Sequence, residues 1–186
     1  MSRQRAVTVI GMGDDGCLSL TSRAMNAVTR AGVLAGGARH LAFFPEFEGE
    51  RIVLGGGLAA SLARIAALAE EARVCVLASG DPLFFGIAQR IIEAVGAAHV
   101  EVLPQPSSVQ WAFARTGMKW DDAAVVSVHG RSREGFSARL RAVSKAAVLT
   151  DRRHTPQALA AHLLAHEEAG WEAWVCESLG SAEERV

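Results

Sequence analysis

Gly11, Gly13 and Gly16 stand in the spacing G-x-G-x-x-G, directly behind the apolar run Ala6-Val-Thr-Val-Ile10. Glycines so spaced let a backbone approach a pyrophosphate at a helix N-terminus, which is the chemistry of a nicotinamide dinucleotide site and of an NAD(P)-dependent oxidoreductase. That site also needs an acid about twenty residues on, to hold a ribose. Here the stretch reads Leu34-Ala-Gly-Gly-Ala-Arg39-His40, with no acid, and Asp14 and Asp15 would set two negative charges beside the phosphates. Another small ligand, or a plain glycine turn, remains open.

A second loop, Ser79-Gly-Asp-Pro-Leu-Phe-Phe-Gly86, follows the wholly apolar Val74-Cys-Val-Leu77. Gly80 removes a side chain where a ligand would lie against the backbone. Asp81 can accept from a ribose hydroxyl or an ammonium group, and Phe84 and Phe85 offer an apolar wall. Equally, Asp81 can cap a helix with Pro82 in its first position, which requires no ligand. A third loop, Pro104-Gln-Pro-Ser107-Ser108, carries hydroxyls suited to a carboxylate or to capping. In a fourth, Ser127-Val-His129-Gly130-Arg131, a histidine stands at a strand end; a lone histidine is more often structural than catalytic. Should the chemistry need a base, Asp81 or His129 could serve; the catalytic residue is unassigned.

Arg39, Arg131 and Arg152 follow strands and could fork onto carboxylates, whereas Arg64 and Arg90 read as surface charge. His162 and His166, at i and i+4, could share a zinc ion. No third ligand is near in sequence, so no metal is expected and the pair reads as a solvated helix face.

These loops need a scaffold of alternating strands and helices. Strands are expected at 6–10, 33–35, 51–54, 74–77, 100–103, 124–128, 146–149 and 171–176. Helices are expected at 20–31 (capped by Ser19 or Thr21), at 58–68 with Leu58, Leu62, Ile65 and Leu68 on one face, at 83–95, through Val109–Arg115, at 134–143, and from Thr155-Pro156 to about 168. Strands alternating with helices mean a largely parallel, helix-covered sheet, so the fold class is α/β. Ligands of such sheets sit at the carboxyl ends of strands, where all four loops fall. The polar turn Gly117–Asp122 divides an N-terminal domain, 1–117, from a C-terminal one, 118–186.

Composition narrows the partners. The 186 residues carry 19 basic and 20 acidic side chains, a net charge of −1, which gives no bulk charge for nucleic acid. Half the chain is apolar, but it has neither a signal-peptide core nor about 18 consecutive apolar residues, so no membrane partner is expected. Cys17, Cys75 and Cys176 are odd in number and far apart, which argues against a disulfide framework and for a reducing, cytoplasmic setting.

Taken together and in order, the loops resemble the tetrapyrrole (corrin/porphyrin) methylase family. The resemblance rests on Val9-Ile-Gly-Met-Gly13, Leu18-Ser-Leu-Thr-Ser-Arg-Ala24, Ser79–Gly86 and Pro106-Ser-Ser-Val-Gln-Trp-Ala112. Gly36-Gly-Ala-Arg-His-Leu41, Val128-His-Gly-Arg131, Leu149-Thr-Asp151, Cys176-Glu-Ser-Leu-Gly180 and Glu184-Arg185 are similar to the branch that methylates C5 of a precorrin macrocycle in cobalamin synthesis. The resemblance implies a methyltransferase using S-adenosylmethionine and releasing S-adenosylhomocysteine, with the cofactor in a cleft between two α/β domains of a homodimer. It implies cofactor contacts from Gly11, Gly13, Asp14, Ser79, Gly80, Asp81, Phe84, Ser107 and Ser108, with His129 and Gly130 added from the second domain, and a precorrin-type tetrapyrrole as substrate. The first loop departs from the family's usual Gly-x-Gly-Pro-Gly. Family members continue past the equivalent of Glu184-Arg-Val186, so the second domain is expected to be incomplete, with a C15-methylating, decarboxylating unit as a fused or separate partner. A sister enzyme acting on another ring position fits the same motifs.

Overall fold

The computed structural model describes residues 6–168 and 170–186. They fall into two compact units: the chain up to Ser108 with Gly180–Ala182, and Val109–Leu179 with Glu183–Val186.

The first unit is a five-stranded, wholly parallel sheet of β1 (Val7–Met12), β2 (Val33–Gly36), β3 (Glu50–Val53), β4 (Val74–Ser79) and β5 (Val100–Leu103), in the order β3-β2-β4-β1-β5. Successive side chains of a strand face opposite ways. Val7, Val9, Val33, Ala35, Val74 and Val76 therefore pack on one face, while Ile10, Leu34, Cys75 and Leu77 pack on the other. The first face is covered by Ile65 of α3 (Leu58–Leu68) and by Ala88 and Ile91 of α4 (Ala88–Val95). Ala24 and Val28 of α1 (Ser22–Thr29) and Leu41 of α2 (Ala38–Ala42) cover the second. Burial on both faces is why β4 reads as an unbroken apolar run rather than an alternating one.

This topology creates a crevice. From β1 the chain leaves to α1 on one face, and from the adjacent β4 it leaves to α4 on the other. Loops that part to opposite faces leave a gap at the carboxyl ends of two neighbouring strands, the place where open α/β sheets bind ligands.

The second unit has a parallel pair, β6 (Ala124–Ser127) and β7 (Ala146–Leu149). Its core joins Val126 and Val128 to Phe136 and Leu140 of α6 (Phe136–Arg141) and Leu159 of α7 (Pro156–Ala165). Most of α5 (Ser108–Thr116) belongs to this unit, with Phe113 stacked on Trp120 at 5.9 Å. The Gly117–Asp122 turn thus lies inside the second unit, and the division falls earlier in the chain, at Ser108.

Several local expectations change. Thr21, not Ser19, caps α1, accepting from the Ala24 N–H at 3.2 Å, while Ser19 donates to Asp15 Oδ1 at 2.7 Å. Thr155 caps α7 as expected, with Pro156 in its first turn. Asp81 and Pro82 do not open a helix, because α4 begins only at Ala88. Among the described residues, 171–176 form no strand; Glu177 makes a single antiparallel bridge to Arg185 instead. An apolar run becomes a strand only where a neighbour pairs its N–H and C=O groups, and β6 and β7 pair with each other.

Candidate functional site

The crevice of the first unit is built from backbone. The β1–β4 ladder continues past the strands, with the Gly80 N–H donating to the Met12 carbonyl at 2.8 Å and the Gln105 N–H to the Gly80 carbonyl at 3.3 Å. Gly11 lies beneath this crossing: a Cβ there would stand 2.0 Å from Gly80 O and 2.7 Å from Gln105 N. Gly80 itself has φ +56°, and a Cβ on it would meet Ser107 Cα at 3.0 Å. The loops after β1, β4 and β5 can converge only because these two positions lack side chains. The Gln105 side chain completes the junction by donating to the Ser19 carbonyl at 2.7 Å.

This arrangement removes the dinucleotide reading of the glycine motif. The space at Gly11 is filled by protein backbone, and α1 starts at Ser22, well beyond Gly16. No helix N-terminus therefore stands directly behind the glycines to receive a pyrophosphate.

Four polar side chains gather at the same edge. Arg39, on α2, donates to Asp14 Oδ1 at 2.6 Å and to Ser79 Oγ at 3.3 Å. His40 Nε2 lies 3.2 Å from Ser79 Oγ and 3.5 Å from Arg39 Nη2. A guanidinium only donates, so Nε2 faces it as a lone pair and the ring proton sits on Nδ1. Nδ1 is buried and has no partner among the described residues. Burial, and then the Arg39 cation, hold the His40 pKa below its ordinary value, against the opposing pull of Asp14. His40 is a neutral, 8% exposed imidazole that the sequence reading left out of the site. Its signal is its place beside Arg39, in the segment that follows a strand.

The Asp81 loop is an irregular turn. Asp81 Oδ1 accepts from the Leu83 N–H at 2.9 Å, and the Ala88 N–H reaches back to the Pro82 carbonyl at 2.9 Å. Phe84 and Phe85 meet edge to face at 4.9 Å. Phe85 has φ +55°, a conformation that non-glycine side chains rarely adopt and that concentrates at functional loops. Ser107 is buried at the crevice, whereas Ser108 is exposed as the first residue of α5.

In the second unit, the His129 Nδ1–H donates to the Thr150 carbonyl at 2.9 Å, which leaves Nε2 as the ring's acceptor. Asp151 ties the ends of β6 and β7 together. Its Oδ2 accepts from the Gly130 N–H at 2.7 Å, and its Oδ1 from the N–H groups of Arg153 at 2.9 Å and His154 at 2.6 Å. These bonds, led by those from Gly130 and His154, hold the carboxyl well below the usual carboxylate range. His154 is buried, with its Nδ1 3.1 Å from the Val128 carbonyl. The same loops border an open hollow of about 790 Å³.

Seven of the sequence-nominated residues thus meet at one edge of the first sheet: Gly11, Gly13, Asp14, Arg39, Ser79, Gly80 and Ser107. Asp81 and Phe84 lie on the turn that leaves that edge. His129, Gly130 and Arg131 stand together in the second unit, and Arg152 is exposed there. Among the described residues no cluster of three potential metal ligands occurs, and His162 is occupied at 3.1 Å by Ser137 Oγ.

Residues 6–186 match the family model described as Tetrapyrrole (Corrin/Porphyrin) Methylases. The chain is 39% identical over 180 residues to the cobalt-precorrin-7 C(5)-methyltransferase of Salmonella typhimurium, covering 97% of this chain and 88% of that protein. It is 36% identical to the decarboxylating precorrin-6Y C(5,15)-methyltransferase of a Sinorhizobium species, with 97% of this chain matched to 44% of that longer protein. The crystal structure of the precorrin-6Y methylase of Archaeoglobus fulgidus superposes with a TM-score of 0.60 at 25% identity, over 78% of this chain and 73% of that one. The uroporphyrin-III C-methyl transferase of Thermus thermophilus, solved with S-adenosyl homocysteine, shares the fold at TM-score 0.69 and 21% identity, over 96% and 85% of the two chains.

Proposed function

Because the chain belongs to the tetrapyrrole (corrin/porphyrin) methylase family, we propose that it transfers a methyl group from S-adenosylmethionine to C5 of a precorrin macrocycle in cobalamin synthesis. The observation that carries this reading is the 39% identity to a C5-methyltransferase along nearly the whole of both chains. The glycine crossing at Gly11 and Gly80 supports it from the structure, by drawing the loops after β1, β4 and β5 together at one sheet edge without a phosphate-binding helix behind them.

The donor set fits a nucleoside sulfonium. Asp81 would accept from its ammonium group or ribose hydroxyls, and Phe84 would supply an apolar wall. Ser79, Ser107 and Ser108 would pair with its polar atoms, and the backbone around Gly13, Asp14 and Gly80 with its remaining edges. His129 and Gly130 are the cofactor contacts that the family resemblance adds. When bound, S-adenosylmethionine supplies a methyl group already attached to a good leaving group. The protein's task is then to orient: holding two reactants in line near van der Waals contact is worth about 7–11 kcal/mol of barrier. Of the two groups able to take a proton from the methylated carbon, His129 offers the free lone pair of Nε2, whereas Asp81 already has one oxygen on Leu83. Arg39, Arg131 and Arg152 are the arginines that the sequence offers for the carboxylates of the substrate.

The cytoplasm is the compartment that suits three free cysteines, and no helix among the described residues is long and apolar enough to cross a membrane. The same reading makes the protein a homodimer, testable by sedimentation. It also gives the protein a C15-methylating, decarboxylating partner, as the longer Sinorhizobium relative's name combines the two activities.

The test is incubation with methyl-labelled S-adenosylmethionine and the precorrin intermediate, followed by mass and NMR localisation of the added carbon. Label at C5 is expected. Label at another ring carbon would make the protein a sister methylase, and binding without transfer would make it a tetrapyrrole carrier.

A further inference from the structure

The arginines at the two sheet edges differ in one respect. Arg39 is already matched by Asp14 at 2.6 Å. The hollow of the second unit is bordered by Arg131, Arg133 and Arg153, together with His154 and His162. Its two acids, Glu134 and Asp151, are fewer than its three arginines, and neither forms an ion pair with Arg133 or Arg153 among the described residues. Both Asp151 oxygens are engaged by backbone N–H groups, and Glu134 forms no ion pair among the described residues. Neither Arg133 nor Arg153 has a side-chain hydrogen bond or salt bridge to an acid among the described residues, and both side chains belong to exposed residues.

The excess of positive charge is held in place. Asp151 fixes the turn that carries Arg153 by accepting that residue's own N–H, and it fixes Gly130 next to Arg131. Ser137 anchors His162 at 3.1 Å on the neighbouring wall. The Arg133 and Arg153 guanidinium groups, on a braced rim and in no ion pair among the described residues, suit a ligand that carries several carboxylates, because each fork can take one carboxylate in two parallel hydrogen bonds. A volume of about 790 Å³ is of the size of small-molecule sites.

We propose that this hollow binds the carboxylate side chains of the macrocyclic substrate through Arg133 and Arg153, which makes these two residues, rather than the already paired Arg39, determinants of substrate affinity. This assignment rests on the reading of the chain as a tetrapyrrole methylase.

The test uses the whole protein and uroporphyrin, a tetrapyrrole with eight carboxylates, as fluorescent probe. S-adenosylhomocysteine binding, followed by calorimetry, is the second readout. Arg133→Gln and Arg153→Gln should each weaken uroporphyrin about tenfold, and the double variant by more, since hydrogen bonds to charged groups are the stronger class. The affinity for S-adenosylhomocysteine should not change. Arg→Lys at either position should recover only part of the loss, because an ammonium keeps the charge without the fork. Unchanged uroporphyrin affinity in both glutamine variants overturns the proposal. So does loss of S-adenosylhomocysteine binding in step with it, which would mark the arginines as structural. A wild-type protein that binds S-adenosylhomocysteine but not uroporphyrin overturns this inference alone; one that binds neither overturns the proposed function as well.

Discussion

The carbonyl oxygen of Gly80 lies 2.0 Å from the point that a Cβ on Gly11 would occupy. Two strand ends cross there at a distance that only hydrogen atoms permit, and the loops that form the crevice depend on that crossing. The obstructing atoms are backbone, so a side chain at Gly11 cannot be accommodated by a rotamer change.

Gly11→Ala should therefore destabilise the protein by at least about 2 kcal/mol, as overpacking of a tight site does, and weaken S-adenosylhomocysteine as the loops separate. Gly55→Ala is the control, since nothing lies within 4 Å of its Cβ position and its φ is ordinary. Urea unfolding of the two variants beside the wild type reads the contrast. Equal stability of all three would show that the strand ends do not need the close approach.

Asp81→Ala should lower the affinity for S-adenosylhomocysteine about tenfold or more, by removing a charge-assisted acceptor. It should leave α4 intact, because that helix starts at Ala88 and takes no cap from Asp81. Calorimetry together with far-UV circular dichroism separates the two effects, and an unchanged affinity would take Asp81 out of the site.

Asp151 yields a pH prediction. Its pKa is lowered in the folded protein by hydrogen bonds from Gly130 and His154 first. A carboxyl held below its unfolded value contributes stability that is fully present above about pH 3.8 and is lost as the pH falls through the folded value. Asp151→Asn should be less stable at neutral pH, and its Tm should fall less steeply than that of the wild type when the pH is taken below about 4. Parallel Tm curves for the two proteins over that interval would contradict the assignment.

Cys75 is 2% exposed in the centre of the sheet, and burial pushes its thiol up to about 12. Only the thiolate reacts. A disulfide reagent at pH 8 should modify Cys75 only after denaturation, whereas the half-buried Cys17 and Cys176 should react in the native protein. Peptide mapping after timed labelling reads this directly, and early labelling at Cys75 would mean that the β1–β4 core opens far more readily than its packing implies.

Much of the architecture is legible locally. The unbroken apolar run at 74–77 announces a strand buried on both faces, and β5 and β7 fall where their residues predict them. Thr155-Pro156 starts α7 because a capping hydroxyl and a preset φ act within one turn. The glycine and serine loops could be placed at strand ends for the same reason.

Where a second partner distant in the chain decides the outcome, the residues are silent. Asp81-Pro82 has the form of a helix start, yet Gly80 just before it is bonded to Met12 and Gln105, and the chain leaves that junction as an irregular turn. Trp171–Cys176 has the composition of a strand but lacks a neighbour to pair with among the described residues. Arg39 meets Asp14 across 25 residues, and His40 meets Ser79 across 39. The sequence by itself determined most of the strands and helices and that the glycine-bearing loops follow strand ends, because propensity, capping and apolar periodicity act over a few residues. Only the tertiary structure decided which arginines are quenched and which are not, that a neutral histidine lies under the crevice, and that no pyrophosphate fits at Gly11. Each of those depends on strand order and register, which bring together side chains that no local pattern links.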